Sequence, residues 1–184
     1  NADNGQNDSF GFSYSRRTGK IGLDLGASME KDNGSKADTA GTIGLTYQGN
    51  GDYAMARYLW VTPEFNPALG IVPWKDRRGG YLFYENGRQF RKGALRETYF
   101  STSASEFRTY DGILQENGFE SDLSARFSNN MEIELSKVRY TYNGSLDDTF
   151  SLGLGINVTN RFKQFRVFAQ NGTQNDKPSR FYGF

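Results

Sequence analysis

From Phe150 to Val158 the chain alternates without a break: Phe150, Leu152, Leu154, Ile156 and Val158 stand against Ser151, Gly153, Gly155 and Asn157. The stretch from Phe119 to Phe127 alternates in the same way, with Ser121 its one break. Successive side chains of a strand point to opposite faces, so a period of two makes a surface with two different sides. The same pattern recurs over most of the chain, and no segment of convincing length carries the helical period. This restricts the fold to all-β before any motif is considered.

Composition agrees. Only 36% of the 184 residues are apolar, yet 15% are aromatic and 22 are glycine, which suits alternating strands better than a thick helical core. Lys and Arg number 22 against 21 Asp and Glu, interspersed and without a polybasic run, so nucleic acid is not an expected partner. There is no Cys, hence no disulfide or thiolate metal site, and no His. A Ser–His–Asp or Cys–His arrangement cannot be assembled from such a chain. No apolar run approaches the roughly 20 residues of a spanning helix, but a spanning strand needs only about 9–11, half of them facing lipid.

Ten strands are expected in an antiparallel up-and-down meander. They centre on 10–14, 21–25, 43–47, 52–62, 81–84, 95–110, 119–127, 131–142, 150–158 and 162–169. Residues 1–8 read as a polar linker and 9–184 as one β-barrel domain. In 131–142 the apolar parity changes from Ile133 and Leu135 to Val138, Tyr140 and Tyr142, which predicts a bulge near Lys137. Three features favour an outer-membrane barrel, or a segment of a larger one, over a soluble sandwich. The second face is rich in Gly and Ser. Aromatics (Phe10, Tyr47, Tyr58, Trp60, Phe127, Tyr142, Phe150, Phe168) fall near strand ends, as in interfacial girdles. Short connections at 18–19, 128–130 and 159–161 contrast with longer ones at 31–38, 143–148 and 171–178.

Three of the four prolines lie in Thr62-Pro63-Glu64-Phe65-Asn66-Pro67-Ala68-Leu69-Gly70-Ile71-Val72-Pro73, which runs into Trp74-Lys75-Asp76-Arg77-Arg78. This segment resembles the pattern Asp/Glu-Phe-Asn-Pro-Glu-x-Gly-Phe-x-x-Arg of one family of large bacterial outer-membrane proteins. Those proteins carry an N-terminal family-9-like carbohydrate-binding domain and a C-terminal β-barrel of unknown function. The resemblance continues through 95–130, 146–150 and 172–178, most of the chain from about Asp52 onward. Ala68, Ile71 and Pro73-Trp74 depart from the pattern. The resemblance implies a bacterial outer-membrane location, a lipid bilayer as partner, and an association with glycan or with other outer-membrane proteins. Family barrels are longer than this chain, so it also implies a barrel segment, and the carbohydrate-binding domain has no counterpart here.

The expected function is therefore non-catalytic, structural or transport-related, with no cofactor and no metal. The proline loop is the place to look for a ligand: Glu64, Asn66, Trp74, Lys75, Asp76, Arg77 and Arg78 combine an exposed aromatic with charge on a long loop. Two other readings stay open. A soluble β-sandwich carbohydrate-binding module would bury Leu123, Leu152, Leu154 and Ile156 against one another. A carboxylate-based hydrolase would pair Glu64 with Asp76, or Asp147 with Asp148. Asp32-Asn33-Gly34 and Asn50-Gly51-Asp52 lack the spacing of a calcium loop and read as turns.

Overall fold

The computed structural model describes residues 7–32, 37–66 and 74–184. Eleven strands form one antiparallel sheet in sequence order. They are β1 (Asn7–Thr18), β2 (Ile21–Asp32), β3 (Asp38–Gln48), β4 (Asp52–Val61), β5 (Arg77–Gln89), β6 (Leu95–Arg108), β7 (Leu114–Phe127), β8 (Glu132–Tyr142), β9 (Ser145–Ile156), β10 (Phe165–Gln174) and β11 (Lys177–Gly183). The sheet is not closed: β1 and β11 are its two edges and do not pair with each other. Among the described residues there is no helix.

The expected meander is therefore present with eleven strands rather than ten. The strand missed by sequence is β11, whose Lys177-Pro178 opening lacks an alternating apolar run. β1 begins at Asn7, inside the stretch read as linker. Two of the expected long connections are two-residue hairpins. Asn143 and Gly144 join β8 to β9 with φ of 48° and 85°, and Asn175 and Asp176 join β10 to β11 with φ of 48° and 61°. Asn, Asp and Gly tolerate this left-handed backbone, and such turns match the twist of the strands they join. Loop length thus does not sort the two ends of the sheet as the sequence suggested. The bulge expected at Lys137 is also absent, because β8 keeps an unbroken register with both neighbours. Lys137 stays on the face of Ile133 and Leu135, and Val138 and Tyr140 take the other. Register shifts occur instead between β6 and β7, at Leu95/Glu97 and at Phe107/Arg108.

The pairing places Phe10, Phe12, Tyr14, Leu25, Ile43, Leu45, Leu82, Phe119, Leu123, Leu135, Leu152, Leu154 and Val167 on one face of the sheet. Most of these large apolar side chains are exposed, so the Leu123–Leu152 face is not buried against a second layer as a sandwich would require. Every buried residue within the strands lies on the opposite face, including Glu30, Gly44, Arg77, Ser101, Phe107, Gly118, Thr149 and Gly153. An open sheet shields the side toward which it curves. The polar face is therefore concave, and the apolar face is convex and bare.

The concave face is held by polar contacts. Ser15 Oγ donates to Asp24, Tyr99 Oη to Glu85 and Ser101 Oγ to Asp122. Arg126 pairs with Glu97, and Arg166 bridges Glu132 and Glu134. The chain exposes 12988 Å², whereas a compact soluble monomer of this mass exposes about 8,900 Å². A single curved layer with its apolar side outward accounts for the excess.

The apolar belt crosses the sheet obliquely. The hydrogen-bonded row through Tyr14, Leu25, Ile43 and Tyr58 continues through Gly80, Glu106, Asn117 and Thr141 to Leu146. On β2 this row crosses the middle of the apolar run from Ile21 to Met29. On β9 the corresponding run is Phe150 to Ile156, centred about seven residues beyond Leu146. The belt slips about one residue per strand, and with ~3.4 Å per residue and ~4.8 Å between strands this is a tilt of about 35°.

Candidate functional site

The connection from β4 to β5 is the longest in the chain, and its described ends fold against the sheet. Thr62 anchors the first end: its N–H donates to the Thr39 carbonyl at 2.9 Å, and its Oγ1 accepts from Thr39 N at 2.8 Å. Phe65 N then donates to the Thr62 carbonyl, a turn that puts Phe65 at 3% exposure, one of the two buried apolar residues among those described. Asn66 N donates to Glu30 Oε2 at 2.6 Å. Glu30 lies on the concave face of β2, so the loop leaves β4 by turning inward.

The returning end is tied as firmly. Lys75 Nζ donates to Asn66 Oδ1 at 3.3 Å and joins the two ends. Asp76 adopts φ of 51°, its Oδ1 accepts from Tyr110 N at 2.8 Å, and its carbonyl accepts from Gln115 Nε2 at 3.0 Å. The β6–β7 turn is thereby fastened to the loop. Partial burial at this junction raises the Tyr110 phenol above its ordinary value.

Alternation then separates the two arginines. Arg77 points to the concave side and pairs with Glu116 at 2.5 Å, their side chains only 10% and 14% exposed. Its guanidinium lies 3.9 Å from the Phe107 ring centroid and 5.3 Å from that of Trp74. Ser105 Oγ donates to the other oxygen of Glu116 at 3.4 Å, while Arg77 Nε is buried without a hydrogen-bond partner. A guanidinium held between two rings and one carboxylate has little freedom left, and Arg77 serves here as the pin between loop and sheet. Arg78 points to the convex side, donates to the Tyr110 carbonyl at 3.2 Å and lies 5.3 Å from the Tyr110 ring centroid.

The seven residues expected to form one ligand site thus divide. Asn66, Lys75 and Asp76 hold the loop. Arg77 is buried in the concave face and Arg78 faces outward, while Glu64 is exposed at the turn. Trp74 is 59% exposed, one side toward Arg77 and the rest open, and is the member best placed to meet a solute. Pro67 to Pro73, the centre of the motif, lies outside the described residues, as does Asn33-Gly34.

The proposed carboxylate pairs fare differently from one another. Asp147 lies on the concave face and accepts from Asn175 N at 2.6 Å, whereas Asp148 lies on the convex face and pairs with Lys137. They do not share a site. Asp76 has a structural partner in Tyr110 N. Asp52, in the second candidate calcium turn, is occupied by Asn86, Tyr84 and Arg88. Among the described residues no group of His, Cys, Asp or Glu is arranged to hold a metal.

Sequence reading missed Glu116, Phe107 and Glu30. Their signal is indirect: each stands at a concave-face position near a strand end, where the loop returns. Comparison with family models, with curated proteins and with solved structures gives no match.

Proposed function

We propose that the chain forms eleven strands of the wall of a bacterial outer-membrane β-barrel, with a structural or transport-related role rather than a catalytic one. The observation that carries this reading is the inverted distribution of polarity: the convex face bears a bare apolar belt with ion pairs away from its middle, and the concave face holds further ion pairs and every buried residue of the described strands. Water would penalise such a surface, and lipid would stabilise it. The belt geometry agrees in two further respects. Its tilt of about 35° falls at the edge of the range of spanning barrels, about 35–45°. From Ile21 to Met29 the belt measures about 27 Å along the strand, or about 22 Å along the normal, close to the ~25 Å apolar band of such barrels.

Aromatics mark both margins of the belt. Phe10, Trp60, Tyr58 and Phe150 stand toward one edge, and Tyr47, Tyr84 and Phe165 toward the other. Tyr142 and Phe168, expected in these girdles, lie on the concave face instead. In lipid an unpaired edge is untenable, so β1 and β11 must both find partners. They run in the same direction. Direct closure between them would be a parallel pair, and an odd number of intervening strands would keep every pair antiparallel.

The inward turn at Phe65 and the Asn66–Glu30 bond bring the described start of the β4–β5 connection to the concave side, the side that would face the lumen. An association with glycans rests on the resemblance of the proline segment alone. The test is to purify the chain and record circular dichroism and unheated gel migration with and without detergent. β structure that requires detergent or lipid, with anomalous migration before heating, is the expected result. A cooperative monomeric β protein in plain buffer would refute the proposal.

A further inference from the structure

The convex face is not a uniform apolar belt. At its upper margin Arg78 on β5 and Arg108 on β6 are directly paired in register, so two positively charged residues occupy neighbouring positions on one face. Like charges directly opposite on a sheet repel. Arg108 has one compensating partner, Glu106, at 2.7 Å, and also donates to the Gly112 carbonyl at 3.1 Å. Arg78 has only the Tyr110 carbonyl and ring, and no carboxylate among the described residues. The pair with Glu106 therefore keeps a net positive charge at the edge of an apolar surface.

Directly beneath this pair the surface is hollow. Next to Arg78 on the same face comes Gly80, then Leu82 and Tyr84, which form a ridge along β5. On one flank of the ridge β4 offers only Ala56 and Ala54, and on the other β6 offers Ala104 and Thr102. Beyond these low rows rise Leu45 and Tyr47 on β3 and Phe119 on β7. The result is low ground on either side of Leu82, and toward Arg78 it passes over Gly80, a position without a side chain that lies in register between Tyr58 and Glu106. Two hollows of about 550 and 700 Å³ follow one another along the strands, each spanning both flanks of Leu82 and both including Leu45, Ala56, Leu82 and Ala104; the larger, at the arginine end, also takes in Tyr58, Gly80 and Glu106, and apolar atoms dominate both.

We propose that this is a binding site for one two-chain membrane lipid with an anionic phosphate headgroup. The phosphate lies between Arg78 and Arg108 and relieves their repulsion by charge-assisted hydrogen bonds. The two acyl chains straddle Leu82. The glycerol region crosses Gly80, where a side chain would obstruct it. Glu106, in register with Gly80, is the acidic group that lines the seat, and its bond to Arg108 Nε offsets one of the two positive charges and leaves the other for the phosphate. The inference rests on the proposal that the convex face meets lipid, and it adds a preferred headgroup and a defined seat.

Trp60 gives a local reporter, because it is paired in register with Arg78 on the same face. The chain has one other tryptophan, Trp74, so Trp74→Phe leaves a single emitter. This variant is reconstituted in phosphatidylcholine vesicles, and Trp60 quenching is titrated with brominated phosphatidylglycerol or brominated phosphatidylcholine. The brominated anionic lipid should quench at a mole fraction roughly 25-fold lower. Arg78→Gln with Arg108→Gln should abolish the preference, each guanidinium contributing about fivefold, whereas Arg78→Lys with Arg108→Lys should retain part of it. Gly80→Val tests the seat without touching charge. A Cβ at Gly80 meets nothing closer than the Arg57 carbonyl at 3.4 Å, so the variant should fold yet lose the preference.

Equal quenching by both lipids, unchanged by these substitutions, would overturn the site and leave the lipid-facing surface intact. Quenching by neither would overturn both, and would point to a protein surface, such as a second copy of the chain, over the belt.

Discussion

An arginine introduced at Leu152 should be far more costly than one introduced at Leu146, although both lie on the convex face of β9. Leu152 lies close to the centre of the apolar run Phe150–Ile156 and is 39% exposed. Leu146 is six residues away, about 20 Å along the strand and about 17 Å along the normal at a tilt of 35°. That places it beyond the edge of a band about 25 Å tall. A cation at the centre of a bilayer-exposed strand costs about 2–4 kcal/mol, and near the interface about 0–1 kcal/mol. Leu152→Arg should therefore shift the folding equilibrium about thirtyfold or more, while Leu146→Arg should leave it nearly unchanged. Leu25→Arg supplies the decisive control. Leu25 shares its hydrogen-bonded row with Leu146 but lies mid-belt, so it should behave like Leu152. The assay is equilibrium unfolding in urea from lipid vesicles, followed by tryptophan emission and unheated gel migration. Were the convex face solvated, the exposed Leu152 and the half-buried Leu25 and Leu146 would show no dependence on position in the belt, and Leu152→Arg would cost no more than about 0.5 kcal/mol. That outcome would refute the oblique belt and its lipid contact together.

Other substitutions test the concave side. Arg77→Met should destabilise by about 3–5 kcal/mol by stranding the buried Glu116 carboxylate, and the double change with Glu116→Leu should recover most of it; a double-mutant cycle in chemical denaturation reads the coupling. Gly79→Ala should cost about 1–3 kcal/mol, because its Cβ would run into the Glu106 carbonyl and the Phe107 ring. Gly80→Ala, one residue on, where a Cβ would make only an ordinary contact with the Arg57 carbonyl, should be neutral or stabilising by about 0.5–1 kcal/mol in the same denaturation experiment. Phe65→Ala should free the β4–β5 loop from the concave face, and limited proteolysis should then cut within 62–76 much faster than in the parent; an unchanged cleavage rate would mean that Phe65 does not anchor the loop.

The meander, its direction and most of its strands were legible because alternation is local: Phe150 to Val158 states its two faces without reference to anything distant. What alternation does not say is which face turns inward. Phe150 and Leu152 read the same whether they fill a core or face lipid, and only the burial of Gly153, Gly155 and Thr149 across the whole sheet distinguishes the cases. Lys137 shows the converse error. Its charge beside Val138 looked like a change of parity, yet Lys137 stays on the belt face beside Asp148, near the polar margin. There the face has ceased to be apolar, because the belt has slipped along β8. The obliquity itself is a property of register across many strands and has no signature in any one of them.

The proline segment was legible as a loop and as a place where charge gathers, but not as a set of partners. Arg77 and Arg78 are neighbours in sequence and go to opposite faces, and Glu116, the partner of Arg77, comes 39 residues later from another strand. Asn143-Gly144 and Asn175-Asp176 were visible as turn formers. Their flanks were read as loop because Ser145, Asp147 and Asp148 carry little β propensity, and pairing with neighbouring strands overrode it.

The central claim is that the convex, apolar face meets lipid and the concave, charged face meets water. The chain has no cysteine, so single cysteines can be placed at 151, 152, 153, 154 and 156 on β9 without background. In vesicles, spin labels on these sites should alternate strictly in collision rate: Leu152, Leu154 and Ile156 favouring dissolved oxygen, Ser151 and Gly153 favouring a water-soluble nickel chelate. A uniform profile along β9, or nickel access at the three apolar positions, would contradict the account.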